Sequence, residues 1–162
     1  MRLRVLSVIP LTATLLSGCI AVVPGHLYPI QGPAAAQNPP PIYSASVSSP
    51  LQGNDGELGG GTPAMMTLTV TLANNDSCTG SWGPVAPGDN TAGQLSVQWD
   101  QVYGPGFFVA NVLGNGHFNR GNLTCKSGGT LNIEFFTPNK LHSGSSKGVA
   151  QDSKGNLYKV TF

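Results

Sequence analysis

The sequence predicts an all-β fold, a small antiparallel sandwich or barrel of about seven to eight strands following a disordered N-terminal tether. Three observations predict it. Short runs alternate apolar and polar residues with a period of two. Clusters rich in Gly, Asn and Asp separate these runs at roughly ten-residue intervals. Finally, 22 glycines and 13 prolines among 162 residues leave little room for helix, and no window shows a convincing helical period.

The strands follow in order. Thr67-Leu68-Thr69-Val70-Thr71-Leu72 alternates strictly and reads as half-buried. Leu95-Ser96-Val97-Gln98-Trp99 repeats the pattern. Gly106 to Leu113 is a continuous β-rich run, as expected of a strand buried on both faces. His117 to Cys125 alternates weakly and Thr130 to Phe135 clearly, and Leu157 to Phe162 sets Tyr158, Val160 and Phe162 on one face. Turn signals lie between them at Asn74-Asn75-Asp76, Pro87-Gly88-Asp89-Asn90, Tyr103-Gly104-Pro105-Gly106, Gly114-Asn115-Gly116, Ser127-Gly128-Gly129 and Ser153-Lys154-Gly155-Asn156. These residue types accept the positive φ of tight hairpins.

Residues 19–63 are a different material. They hold Pro24, Pro29, Pro33, Pro39, Pro40, Pro41, Pro50 and Pro63, with Gly59-Gly60-Gly61 and many serines. Such a stretch reads as a tether unable to bury enough apolar surface to offset its ordering entropy. Two alternatives stand beside that reading: Val22-Val23 and Leu27-Tyr28-Pro29-Ile30 dock on the domain, or Asn38-Pro39-Pro40-Pro41 is a polyproline recognition segment. The β-domain is expected over 64–162.

Residues 1–18 have the form of a secretory leader. Arg2 and Arg4 precede an apolar run from Val5 to Leu16, too short for a transmembrane helix of about 20 residues. The following Leu15-Leu16-Ser17-Gly18-Cys19 resembles the lipobox of bacterial lipoproteins. The resemblance implies diacylation of the Cys19 thiol, cleavage before it, and anchoring in the cell envelope. Ile20, where an Asp is the usual signal for inner-membrane retention, favours the outer membrane. The alternative is an ordinary secreted chain cut near Gly18, with Cys19 a free thiol. Removing residues 1–18 leaves six cations against seven acids. So few cations exclude a nucleic-acid partner, and a coiled coil needs far more Ala, Glu, Lys and Leu.

With Cys19 acylated, Cys78 and Cys125 form an even pair in an oxidising compartment, and a disulfide is expected. It closes a loop of about 47 residues, worth roughly 4 kcal/mol on the chain-entropy account. Two buried thiols are the alternative; the spacing suits zinc poorly, and no metal or cofactor is expected.

Gly148-Val149-Ala150-Gln151-Asp152-Ser153-Lys154-Gly155-Asn156-Leu157-Tyr158 resembles one hairpin of NHL-type β-propellers. A propeller needs several such copies, so the resemblance implies only a hairpin whose turn is capped by Asp152 and Asn156. The stretch from Val102 through Val160 also resembles uncharacterised small bacterial lipoproteins, a likeness that carries no activity.

Catalytic patterns are missing. Gly80-Ser81-Trp82-Gly83 lacks the spacing of a nucleophile elbow, and Lys126-Ser127-Gly128 has no accompanying Ser-x-x-Lys. His26, His117 and His142 lie in separate segments, and Asp100 and Glu134 are the acids expected on strands. Trp82, Tyr103, Phe107 and Phe108 adjoin Gly/Pro loops and form a candidate partner surface, or else fill the core. The reading is a lipid-anchored envelope protein without enzymatic activity, a binding or structural module whose partner is an envelope protein or the cell wall. An inhibitor of a cell-wall hydrolase and an envelope-acting enzyme are the alternatives.

Overall fold

The computed structural model describes residues 20–50, 66–85, 95–113, 118–136 and 146–162. Eight antiparallel strands close into a barrel in sequence order. They are β1 (Ile20–Gln31), β2 (Tyr43–Pro50), β3 (Met66–Thr71), β4 (Ser77–Pro84), β5 (Phe118–Cys125), β6 (Thr130–Phe136), β7 (Lys147–Asp152) and β8 (Leu157–Thr161). Pairing of β1 with β8, for example Leu27 with Val160, closes the sheet.

The first two strands come from the segment read as a tether, so the folded unit does not begin at residue 64. The alternative, docking of Val22-Val23 and Leu27–Ile30, is the arrangement found, and it takes the form of strand pairing. Proline content misleads here for a local reason. Pro24 pairs with β2 but precedes the first β8 pair at His26, so its missing N–H costs no ladder bond on that side. Pro29 adjoins an irregularity where the register to β8 shifts. The alternation that makes these strands is Gly25, Leu27, Tyr43, Ala45 and Val47 facing inward, all buried. Residues 51–63 of the same segment lie outside the described residues, as does Cys19.

The interior is apolar: Leu27, Val47, Leu68, Val70, Leu123, Leu131, Ile133, Phe135, Ala150 and Val160 belong to one buried cluster. The outer wall of β2, β3 and β4 is a grid of hydroxyls, with Ser44 opposite Thr71, Ser46 opposite Thr69 and Ser48 opposite Thr67, continued by Ser77, Thr79 and Ser81. On these three strands, apolar inside and polar outside is the reverse of the alternation of a barrel that spans a bilayer.

Cys78 and Cys125 are directly paired across β4 and β5 and joined by the expected disulfide inside the barrel. Inward glycines let the small barrel close. A Cβ on Gly80 would collide with the Asn122 carbonyl oxygen. One on Gly148 would lie 2.7 Å from the Glu134 carbonyl oxygen.

Two runs expected to be strands are helical. Ser96–Tyr103 is an α-helix, α1, and Phe108–Val112 is a single π-helical turn. Leu95, Trp99, Val102 and Tyr103 share a helical face, and α1 lays that face on the outer wall of the barrel. Val97, the residue that completes the period-two pattern, is exposed instead. The second run is started by the Asp100 carboxylate, which accepts hydrogen bonds from the Gly106 amide at 3.1 Å and the Phe108 amide at 2.9 Å. Leu95, Trp99, Phe108, Val112, Phe118, Phe136 and Val149 make a second core between this helical connection and the wall.

An up-and-down barrel has two unlike ends. At one, which we call the turn end, β1–β2, β3–β4, β5–β6 and β7–β8 are joined. The β3–β4 turn has Asn74 and Asn75 both at φ 57°, as a type I′ hairpin requires. At the other, the mouth, β1, β3, β5 and β7 begin and β2, β4, β6 and β8 finish.

Candidate functional site

Three clusters of side chains stand out. The first lies on the outer wall where α1 covers β6, β7 and β8. Trp99 and Tyr103, four residues apart on α1, stack with Phe107 just beyond it. Ring centroids are 5.5 Å apart for Trp99–Tyr103, 4.8 Å for Tyr103–Phe107 and 6.0 Å for Trp99–Phe107. Trp99 is fully buried and its Nε1 donates to Glu134 Oε2 at 2.9 Å. The other carboxylate oxygen receives Arg120 Nε at 3.0 Å. Glu134 is 1% exposed. It faces outward from its strand, as expected, but beneath the helix. The pair is therefore a buried anchor for α1, since removing either partner would strand a charge. Arg120 Nη2 is buried without a hydrogen-bond partner.

The Tyr103 hydroxyl reaches between β7 and β8. It donates to the Gly148 carbonyl at 3.1 Å and accepts from the Gly148 amide at 3.3 Å. Burial pushes its pKa up to about 12, against a smaller opposing effect of the Gly148 hydrogen bond. The Lys147 ammonium lies 5.4 Å from the Phe107 ring centroid and 5.8 Å from that of Tyr103; Lys159 is 5.8 Å from Tyr103. The surface that results is a half-buried pair of rings, Tyr103 and Phe107, flanked by two cations.

The second cluster seals the turn end. Asp152 accepts four hydrogen bonds. Its Oδ1 takes the amides of Lys154 and Asn156, each at 2.9 Å. Its Oδ2 takes Asn156 Nδ2 at 2.7 Å and the Tyr158 hydroxyl at 2.8 Å. Asn156 Oδ1 in turn accepts from the Ala34 amide at 2.7 Å, tying the β1–β2 connection to the β7–β8 turn. The expected capping by Asp152 and Asn156 is found, with Tyr158 as a third member. Burial, then the Asp152 hydrogen bond and charge, push the Tyr158 pKa far above its ordinary value. Nearby, Asp76 receives the Ser127 hydroxyl at 2.6 Å and the Ser127 amide at 3.0 Å. Those bonds hold its carboxyl below the usual range. A pocket of about 170 Å³ opens here between Ala34, Tyr43, Asp76, Asp152, Lys154 and Tyr158.

The third cluster is at the mouth. Trp82 faces inward from β4, edge-on to Phe135 at 5.8 Å, and Phe135 meets Phe162 edge-on at 4.7 Å. Trp82 Nε1 is buried without an acceptor.

The four aromatics of the expected partner surface thus separate. Tyr103 and Phe107 come together on the outer wall. Phe108 is buried in the second core and Trp82 lines the barrel. Trp99, Lys147 and Lys159 complete the ring cluster and were not singled out in the sequence; the spacing of Trp99 and Tyr103 by four residues was the available signal. His26 is exposed on β1, while His117 and His142 lie outside the described residues. Among the described residues, no three His, Cys, Asp or Glu side chains gather as metal ligands. No protein-family profile matches the chain, and no curated protein or solved structure matches it either.

Proposed function

We propose that this protein is a lipid-anchored bacterial envelope protein whose barrel serves as a binding or structural module. One observation carries the reading. The lipobox-like Leu15-Leu16-Ser17-Gly18-Cys19 lies on the N-terminal side of every described strand, ahead of β1 at Ile20–Gln31. Cleavage before Cys19 removes the leader and leaves every described strand of the barrel intact. A leader ending inside β1 would cost the closing strand, and one ending far upstream would leave an unexplained apolar remnant. The inward disulfide supports an oxidising compartment.

The surface best suited to a partner is the Tyr103–Phe107 pair with Lys147 and Lys159. Aromatic faces beside ammonium groups suit a ligand carrying both apolar and anionic groups.

Mass spectrometry of protein extracted from membranes tests the anchor. Acyl chains on an N-terminal Cys19 are expected, together with a two-proton deficit from the Cys78–Cys125 bond. Cys19→Ser is expected to move the protein from the membrane to the soluble fraction. An unacylated chain that still sediments with membranes overturns the proposal.

A further inference from the structure

We propose that the mouth of the barrel docks against the bilayer, exposed apolar side chains at that end entering the lipid interface while the turn end points away. This rests on acylation of Cys19. Cys19 is joined directly to Ile20 of β1, and β1 starts at the mouth. At about 3.3 Å per residue, Val22 lies about 10 Å along the chain from the acylated residue, whereas Ile30 lies about 36 Å away. The anchor therefore has no spacer that would let the barrel stand off or turn over.

Among the described residues, several exposed apolar side chains lie at that end. Val22 is 59% exposed on the outer wall at the start of β1, and Val23 is 50% exposed beside it. The β4–β5 connection adds Val109, 66% exposed, and Leu113, 42% exposed, on and just after the π-helical turn. That turn packs against Phe118 at the start of β5 and Phe136 at the finish of β6, both mouth positions. The inner edge of the mouth continues the apolar surface with partly buried Met66, Trp82 and Phe162. The opposite end carries Asp76, Asp152, Lys126 and Lys154 around its hairpin turns. A second exposed apolar group, Tyr28, Ile30 and Ile42, lies toward that turn end and serves as an internal control. Two acyl chains suffice to hold the protein, so the rim sets orientation and residence rather than attachment.

The test uses the full mature protein reconstituted in vesicles of phosphatidylethanolamine with a minor fraction of phosphatidylglycerol. With Cys19 acylated and Cys78 joined to Cys125, an introduced cysteine is the single reactive thiol for a spin label. Labels on Val22→Cys, Val109→Cys and Leu113→Cys are expected to gain collisions with lipid-soluble oxygen. They should lose collisions with an aqueous nickel chelate severalfold, relative to the same labels on soluble Cys19→Ser protein. A label on Ile42→Cys should stay equally open to the chelate in both. Combining Val22→Ser, Val109→Ser and Leu113→Ser should speed transfer between vesicles about tenfold or more, since each loses burial of one aliphatic side chain; Ile42→Ser should not. The three positions are exposed, and an unchanged circular dichroism spectrum confirms the fold. Acylated protein whose rim labels remain as open to the chelate as the Ile42 label overturns the docking alone. A sample whose mass lacks acyl groups overturns the anchor as well.

Discussion

Replacing Asp152 by Asn should destabilise the barrel by about 2–4 kcal/mol, although the shape of the side chain hardly changes. The amide oxygen can take over Oδ1, which serves the Lys154 and Asn156 amides. The amide nitrogen must then stand where Oδ2 accepted from Asn156 Nδ2 and the Tyr158 hydroxyl, at 2.7 and 2.8 Å. An acceptor becomes a donor facing two donors in a buried site. Hydrogen bonds to a charged group contribute roughly 1.5–3 kcal/mol each, and a buried unsatisfied donor costs about 1–3 kcal/mol. Rotation of the Tyr158 hydroxyl, which lets it accept instead, recovers part of the loss. Tyr158→Phe removes one donor along with its bond to the carboxylate and should cost about 1.5–3 kcal/mol. Because the two substitutions share one bond, the double variant should cost less than the sum of the single variants. Urea unfolding at constant pH, followed by tryptophan fluorescence and circular dichroism, gives all four stabilities. If Asp152→Asn stays within about 0.5 kcal/mol of the parent, or the two effects simply add, the hub role of Asp152 is refuted.

Other expectations concern the disulfide, a tyrosine and a glycine. Reduction of the Cys78–Cys125 bond, which spans a sequence separation of 47, should lower stability by roughly 4 kcal/mol on the chain-entropy account. Urea midpoints with and without dithiothreitol measure it, and equal midpoints would contradict it. In alkali, the Tyr103 phenol keeps its proton in the folded state up to about 12, against an ordinary value of 10.0. The folded state therefore binds more protons than the unfolded chain between these values, and stability should fall as pH rises through that window. Tyr103→Phe should flatten the fall, and the test is a series of urea midpoints across the window. Gly148→Ala should cost about 2 kcal/mol or more through overpacking, because the new methyl meets the Glu134 carbonyl oxygen and the Phe135 ring. An unchanged midpoint would show that the neighbouring strands can part.

Much of the architecture was legible because it is local. β3, β5, β6 and β8 follow the alternation of Thr67–Leu72, His117–Cys125, Thr130–Phe135 and Leu157–Phe162, since a strand with one dry face must place apolar residues at every second position. The β3–β4 turn follows from Asn74-Asn75, which tolerate positive φ, and the β7–β8 cap from Asp152 and Asn156. The cysteine pairing followed from setting Cys19 aside as the lipobox-like cysteine, which leaves Cys78 and Cys125 as a pair.

What the sequence by itself determined is therefore the class of fold, an antiparallel β-domain with its β3–β4, β5–β6 and β7–β8 turns and its cross-link. Only the tertiary structure decided where that domain begins. β1 and β2 are held by pairing with β8 and β3 far along the chain, and Pro24 and Pro29 are tolerated where a neighbouring strand is missing or the register shifts. Tertiary contact likewise decided that Ser96–Tyr103 is helix. Five alternating residues fit either period, and burial of Trp99 against Glu134 selects the one that puts Leu95, Trp99 and Tyr103 on a single side. The same contact brings Tyr103 and Phe107 beside Lys147 and Lys159 while sending Trp82 and Phe108 elsewhere. Local periodicity reports which residues leave water; which partner covers them is settled only when distant strands meet.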